Sequence, residues 1–166
     1  EWVELKNVSA SPVDLSDWWL IDQDEKVKVS LSGPINPGGF YLLERTDDNA
    51  VPFIAADVIY KGSLDNDNEG LRLLDKSCQL VDEVFARLSW PAGNVGEKRS
   101  MERDNDLSWH DYSGFLNHDL FGTPRAENSP KGVVVLLGGG GGPSTSSGQT
   151  PSTGPEQVGG VPQAIP

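Results

Sequence analysis

One cysteine, one methionine and two histidines are all that 166 residues hold of several side chains used in redox and metal chemistry. With Cys78 alone, an internal disulfide framework and a cysteine-cluster metal site are both excluded. The lone thiol leaves the compartment open, because many extracellular domains also do without disulfides. Basic residues are scarce as well: 13 Lys and Arg stand against 25 Asp and Glu, a net charge of −12. Phosphate backbones are bound mainly through Lys and Arg, so an acidic chain without a basic stripe is a poor partner for nucleic acid. The longest apolar run, Val133 to Leu137, is far too short to span a membrane. No window of 11–18 residues keeps a 3.6-residue period, so helix is expected to be minor. No signal peptide is visible. The chain opens on Glu1-Trp2-Val3-Glu4-Leu5, which reads as the middle of a strand, and the native N-terminus is expected upstream.

What is present is alternation and turns. Val3 and Leu5 alternate with Glu4 and Lys6; Val27, Val29 and Leu31 alternate with Lys28 and Ser30. Trp18 to Ile21, Phe40 to Arg45, Val58 to Tyr60, Leu71 to Leu74, Leu80 to Phe85 and Ser100 to Arg103 read as further strands, at intervals of about ten residues. Phe40 to Arg45 is mostly apolar and is expected to be central. The spacing of Leu74 and Leu80 around Asp75 to Cys78 predicts a β-hairpin. Gly33 to Gly39, with two prolines, is expected to stay out of any ladder, and Trp109 to Phe121 to be irregular. From Gly138 on, nearly every residue is Gly, Pro, Ser, Thr or Gln, a composition that cannot offset its ordering entropy. Residues 1–130 are therefore expected to form one all-β domain, and 131–166 a disordered linker.

Three segments invite a chemical reading. Asp65-Asn66-Asp67-Asn68-Glu69-Gly70 has the oxygen spacing that opens an EF-hand loop, but Lys76 stands where the bidentate Glu belongs. It reads first as a turn with Asn66 or Asn68 in the left-handed conformation, the alternative being a weak Ca²⁺ site on Asp65, Asp67 and Glu69. Ser108, His110 and Asp111 are close in sequence but form no nucleophile elbow, and His110 and His118 lack the spacing of a zinc hydrolase. No catalytic residue is assigned. At least three of the five tryptophans are expected in the core. On a strand, adjacent Trp18 and Trp19 point to opposite faces, and the outward one is the candidate contact surface.

Several motifs, in order from residue 1 to about 129, resemble the lamin-tail domain family, its bacterial branch in particular. Glu1-Trp2-Val3-Glu4-Leu5-Lys6-Asn7 is similar to the family's opening strand, and Asp14-Leu15-Ser16-Asp17-Trp18 to its following turn. Pro37-Gly38-Gly39-Phe40 is similar to the family's entry to the next strand, and Leu64 to Leu73 resembles a family hairpin. Trp90-Pro91-Ala92-Gly93, Ser100-Met101-Glu102-Arg103 and Gly122 to Ser129 complete the series. Asp17, Asn68 and Arg125 stand where the family usually has Gly; Asp and Asn tolerate positive φ, so the first two turns are expected to survive and the third to differ.

The resemblance implies an immunoglobulin-like β-sandwich without catalytic residues or cofactor. It would be a structural or interaction module of a bacterial cell-surface or secreted protein, its partner a protein or a cell-surface polymer. The alternatives are an accessory module positioning a nuclease or hydrolase domain, or a carbohydrate-binding module. The resemblance also implies a strand ahead of residue 1, whose absence would leave an unpaired edge. Restoring that segment is expected to raise the melting temperature, and an unchanged value would count against it.

Overall fold

The computed structural model describes residues 1–114 and 120–132. The reading of 131–166 as a linker thus falls, beyond Lys131 and Gly132, outside the described residues, as does His118. Within them the chain is all-β and sandwich-like. Its strands are β1 (Trp2–Lys6), β2 (Val13–Asp14), β3 (Trp19–Asp22), β4 (Lys28–Ser30), β5 (Pro34–Ile35) and β6 (Phe40–Arg45). They continue with β7 (Val58–Tyr60), β8 (Glu69–Leu74), β9 (Leu80–Ala86), β10 (Met101–Arg103) and β11 (Trp109–Asp111).

One sheet has the order β1-β6-β7, with β6 central and β7 parallel to it; a second has the order β4-β3-β8-β9. Two small ladders, β2 with β5 and β10 with β11, complete the fold. The core lies between the two larger sheets. Leu5, Tyr41, Leu43 and Tyr60 come from the first, and Leu20, Val29, Leu71 and Leu73 from the second, in one apolar cluster. The alternation of Val27, Val29 and Leu31 does what it predicts: all three are buried while Lys28 and Ser30 face out. Four contiguous buried residues, Tyr41 to Glu44, give β6 the run of a central strand.

Three expectations change. Pro34 and Ile35 do pair, antiparallel with Val13 and Asp14. A two-residue ladder places little demand on the N–H that proline lacks, and the Leu15 N–H donates to Gly33 O (2.9 Å) beside it. Leu64 to Leu73 is not a hairpin: β7 and β8 belong to different sheets, so Asp65 to Asn68 crosses between sheets. Trp109 to Asp111 is a strand, pairing Arg103↔Trp109 through Met101↔Asp111; three residues are too few to show a period. The hairpin around Asp75 forms as expected. Its side-chain oxygen accepts the Ser77 and Gln79 N–H groups (both 2.8 Å), and Cys78 takes the left-handed position (φ 58°).

The three residues in glycine-like positions all have positive φ: 65° at Asp17, 55° at Asn68 and 55° at Arg125. The last turn therefore keeps its conformation, contrary to expectation, although arginine bears the Cβ penalty there. Its side chain offsets the strain. The guanidinium donates to Ala55 O (2.9 Å) and Asp57 Oδ2 (2.7 Å), while the Arg125 N–H donates to Glu4 Oε2 (2.8 Å). Arg125→Ala loses the anchor and keeps the strain, whereas Arg125→Gly loses the anchor and relieves it. In urea unfolding Arg125→Ala should be the less stable of the two by about 1 kcal/mol; equal stabilities would refute the strain.

Candidate functional site

A concavity of about 940 Å³ opens between the two main sheets. Leu5, Leu20, Leu71 and Leu73 of the core reach it, so its floor is apolar. Its walls come from β1, β9 and β10, and each of these is the end strand of its sheet. Among the described residues each has one ladder neighbour, so no strand pairs with its other edge; on β10 the Arg103 carbonyl accepts from Asn128 Nδ2 (2.8 Å). Side chains, not a ladder, join β10 to β9: Arg103 pairs with Asp82 and lies over the Trp109 ring at 5.0 Å. Trp2 lines the same groove and packs so closely that a Cβ on Gly122 would come within 2.9 Å of its ring.

The tryptophans divide differently from expectation. Trp18 and Trp90 pack against the core, while Trp2 and Trp109, with Trp90, line the groove. Trp19 is the outward member of its pair, half-buried, with Lys28 Nζ 5.9 Å from its ring centroid. No reading by strand period finds the groove, because its residues come from strands far apart in the chain.

The acidic loop is also rearranged. Asp65, Asp67 and Glu69 do not make the closest carboxylate group among the described residues; Asp22, Asp24 and Glu69 do, with one ligand atom from each within 4.8 Å of the others. Asp67 is exposed, and Asp65 Oδ2 lies 3.3 Å from Lys26 Nζ. The cause is sheet register. Asp22 stands opposite Leu71 across β3 and β8, so two residues further along, the chain brings Asp24 towards Glu69. Glu69 is buried and occupied, its oxygens accepting the Gln23 (3.1 Å), Gly70 (2.7 Å) and Asp65 (3.2 Å) N–H groups. Asp22 is 1% exposed; Oδ2 accepts the Val27 N–H (2.9 Å) and Oδ1 has no hydrogen-bond partner. Burial raises the Asp22 pKa, helped by the Glu69 and Asp24 charges. Lys26 holds the exposed Asp24 below its usual range from 2.7 Å.

Ser108, His110 and Asp111 do not converge. Ser108 Oγ donates to Asp106 Oδ1 (2.6 Å) and Asp104 Oδ2 (3.0 Å), while Asp111 Oδ1 accepts the Gly93 N–H (2.8 Å). His110 lies between two acceptors, Asp104 Oδ2 (3.1 Å at Nδ1) and Ser129 O (2.9 Å at Nε2), so both ring nitrogens are engaged. Glu102, buried beneath, accepts from Ser129 Oγ (2.5 Å) and Thr123 Oγ1 (2.5 Å). This network ties the 120–132 segment to the β10–β11 ladder. It has the geometry of a clasp. Comparison with family models, with curated proteins and with solved structures gives no match for this chain.

Glu4 also lines the groove, and burial pushes its carboxyl up to about 7 against the lowering pull of Arg125. A carboxyl raised on folding holds its proton in the folded state after the unfolded chain has lost it. Glu4 thus contributes stability that is full below the unfolded value of 4.5 and lost as pH rises through about 7. Glu4→Gln should flatten the fall in melting temperature over that window, without abolishing it, because Asp22 is raised too. An identical pH profile for the variant and the parent would refute the assignment.

Proposed function

We propose that this chain is a non-catalytic structural and interaction module of the lamin-tail kind, an immunoglobulin-like sandwich carried by a bacterial cell-surface or secreted protein. Its groove takes up an extended polypeptide segment, which adds to a free strand edge. The observation that carries this reading is the meeting of three end strands, β1, β9 and β10, around one apolar cavity. Strand addition draws affinity from main-chain hydrogen bonds and specificity from alternate side chains entering pockets. At about 1 kcal/mol net per hydrogen bond, a five-residue strand such as β1 gives modest affinity unless side chains fill the apolar floor. The volume lies within the roughly 300–1,000 Å³ of ordinary ligand pockets. Residues 131–166 serve as a spacer in this reading. Among the described residues no helix is long and apolar enough to cross a membrane.

A sugar-binding face on Trp19 is the less favoured reading, because the Lys28 ammonium already lies over that ring. A display library of linear random peptides separates the two. Selected peptides should alternate apolar and polar residues, should slow amide exchange on β1, β9 or β10, and should lose binding in Val84→Lys, which charges the groove wall. Failure to select any peptide, together with glycan binding abolished by Trp19→Ala, would replace the groove reading with the sugar reading.

A further inference from the structure

At the end of β3, Asp22 Oδ1 is a buried carboxylate oxygen that no protein donor reaches, and the neighbouring Asp24 carboxyl can satisfy it only by sharing a proton. Asp22 is 1% exposed and its Oδ1 is unbonded, yet the side chain lies within a group of three carboxylates. Leaving such an oxygen without a donor is costly in a low-dielectric site, so native structures normally satisfy it. Oxygens sharing one Ca²⁺ about 2.4 Å away lie at most about 5 Å apart, and the ligand atoms of Asp22, Asp24 and Glu69 are all within 4.8 Å of one another.

The loop is also held in shape without a ligand. The Asp22 N–H donates to Val27 O and the Val27 N–H returns to Asp22 Oδ2, both at 2.9 Å, closing residues 22–27. Glu69 is fixed by the three N–H groups it accepts. Asp24 is exposed, leaving a path from solvent. Among the described residues Lys26 is the one cation paired with this group, at 2.7 Å from Asp24 and 3.3 Å from Asp65. One ammonium does not neutralise three carboxylates, and its side chain is 54% exposed, so moving it aside would unbury nothing.

We propose that Asp22, Asp24 and Glu69 form a binding site for a hard divalent cation, Ca²⁺ by its oxygen donors. Asp22 Oδ1 is the principal ligand, Asp24 closes the site from solvent, and Lys26 occupies the counter-charge position when the ion is absent. Backbone carbonyls and water complete the shell of 6–8 oxygens that Ca²⁺ takes. The site differs from the Asp65, Asp67 and Glu69 set that the EF-hand spacing suggests, sharing Glu69 with it.

Tb³⁺ is a direct probe, because the Trp90 Nε1–H donates to Asp65 O (2.9 Å) and Asp65 N–H donates to Glu69, which brings an indole beside the site. The full chain should show Tb³⁺ emission on tryptophan excitation, displaced by Ca²⁺ at roughly 0.1–1 mM. Its melting temperature should be higher in Ca²⁺ than in chelator. Asp24→Asn, at an exposed position, should fold normally and weaken the response by about tenfold or more, since ligand charge sets affinity. Asp22→Asn should remove the response and, by supplying an amide to the buried position, raise the melting temperature in chelator. Asp47→Asn, on another acidic loop, should leave the response intact. No emission and no melting shift at about 10 mM Ca²⁺ would overturn the site; a proton held between the carboxylates would then account for Asp22. An unaltered response in Asp24→Asn would overturn it equally, placing the ion elsewhere on the acidic surface.

Discussion

Much of the fold depends on one buried amide. Asn7 is fully buried at the end of β1, and its side chain and backbone reach three segments at once. The Asn7 N–H donates to Gly39 O (2.9 Å), and Asn7 O accepts the Gly38 N–H (2.8 Å). Its Nδ2 donates to Ser11 O (2.8 Å) and Ile35 O (2.9 Å), while Oδ1 accepts the Ser9 N–H (2.9 Å). The first strand, the Ser9–Ser11 turn and the loop entering β6 are thereby fixed to one another. With strands of two to seven residues, ladders alone leave many interior backbone groups without partners, and those groups must be satisfied by side chains. Asp22, Glu44, Glu69 and Glu102 are buried for the same reason, and each accepts at least one backbone N–H.

The same shortness of strands creates the groove. Because the sheets close neither on each other nor on the β10–β11 ladder, three edges face one space. They are held there by side chains: Arg103 with Asp82, Arg125 with Asp57, and the Glu102 network around Ser129. Contacts of this kind set the distance between elements without closing the backbone between them. An open edge is an aggregation risk in a monomer and a binding surface when an extended segment is available. The apolar floor formed by Leu5, Leu20, Leu71 and Leu73 rewards any chain that covers it.

How much of this was legible in the sequence follows from the range of each interaction. Period-two patterns locate β1 and β4, and a continuous apolar run locates β6, because each strand carries its own record of what surrounds it. The Asp75–Cys78 hairpin is equally local, with the aspartate that shapes it lying inside the turn. β11 is too short to hold a pattern, and the β2–β5 pair is obscured by a proline whose missing N–H costs nothing there. The carboxylate group shows the limit clearly. Spacing along the chain put Asp65, Asp67 and Glu69 together, but ladder register joined Glu69 to Asp22 and Asp24, more than forty residues away in the chain. Register between distant strands is fixed by the core and by partner strands, and neither is written in a six-residue window.

The buried acids also show how a strut differs from a site. Glu102 has both oxygens occupied by protein donors, and such a carboxylate has completed its work on folding; Glu69 is held as firmly by N–H groups but faces Asp22 and Asp24. Glu44 and Asp22 each keep one oxygen unbonded, so an empty acceptor is not by itself enough. What separates them is their company. Glu44 belongs to no carboxylate group among the described residues. Asp22 has two further carboxylates within a few ångströms, and two negative charges still repel each other whichever of the three takes a single proton. A divalent cation relieves all three at once, and a rigid loop already shaped around the gap does so with little reorganisation.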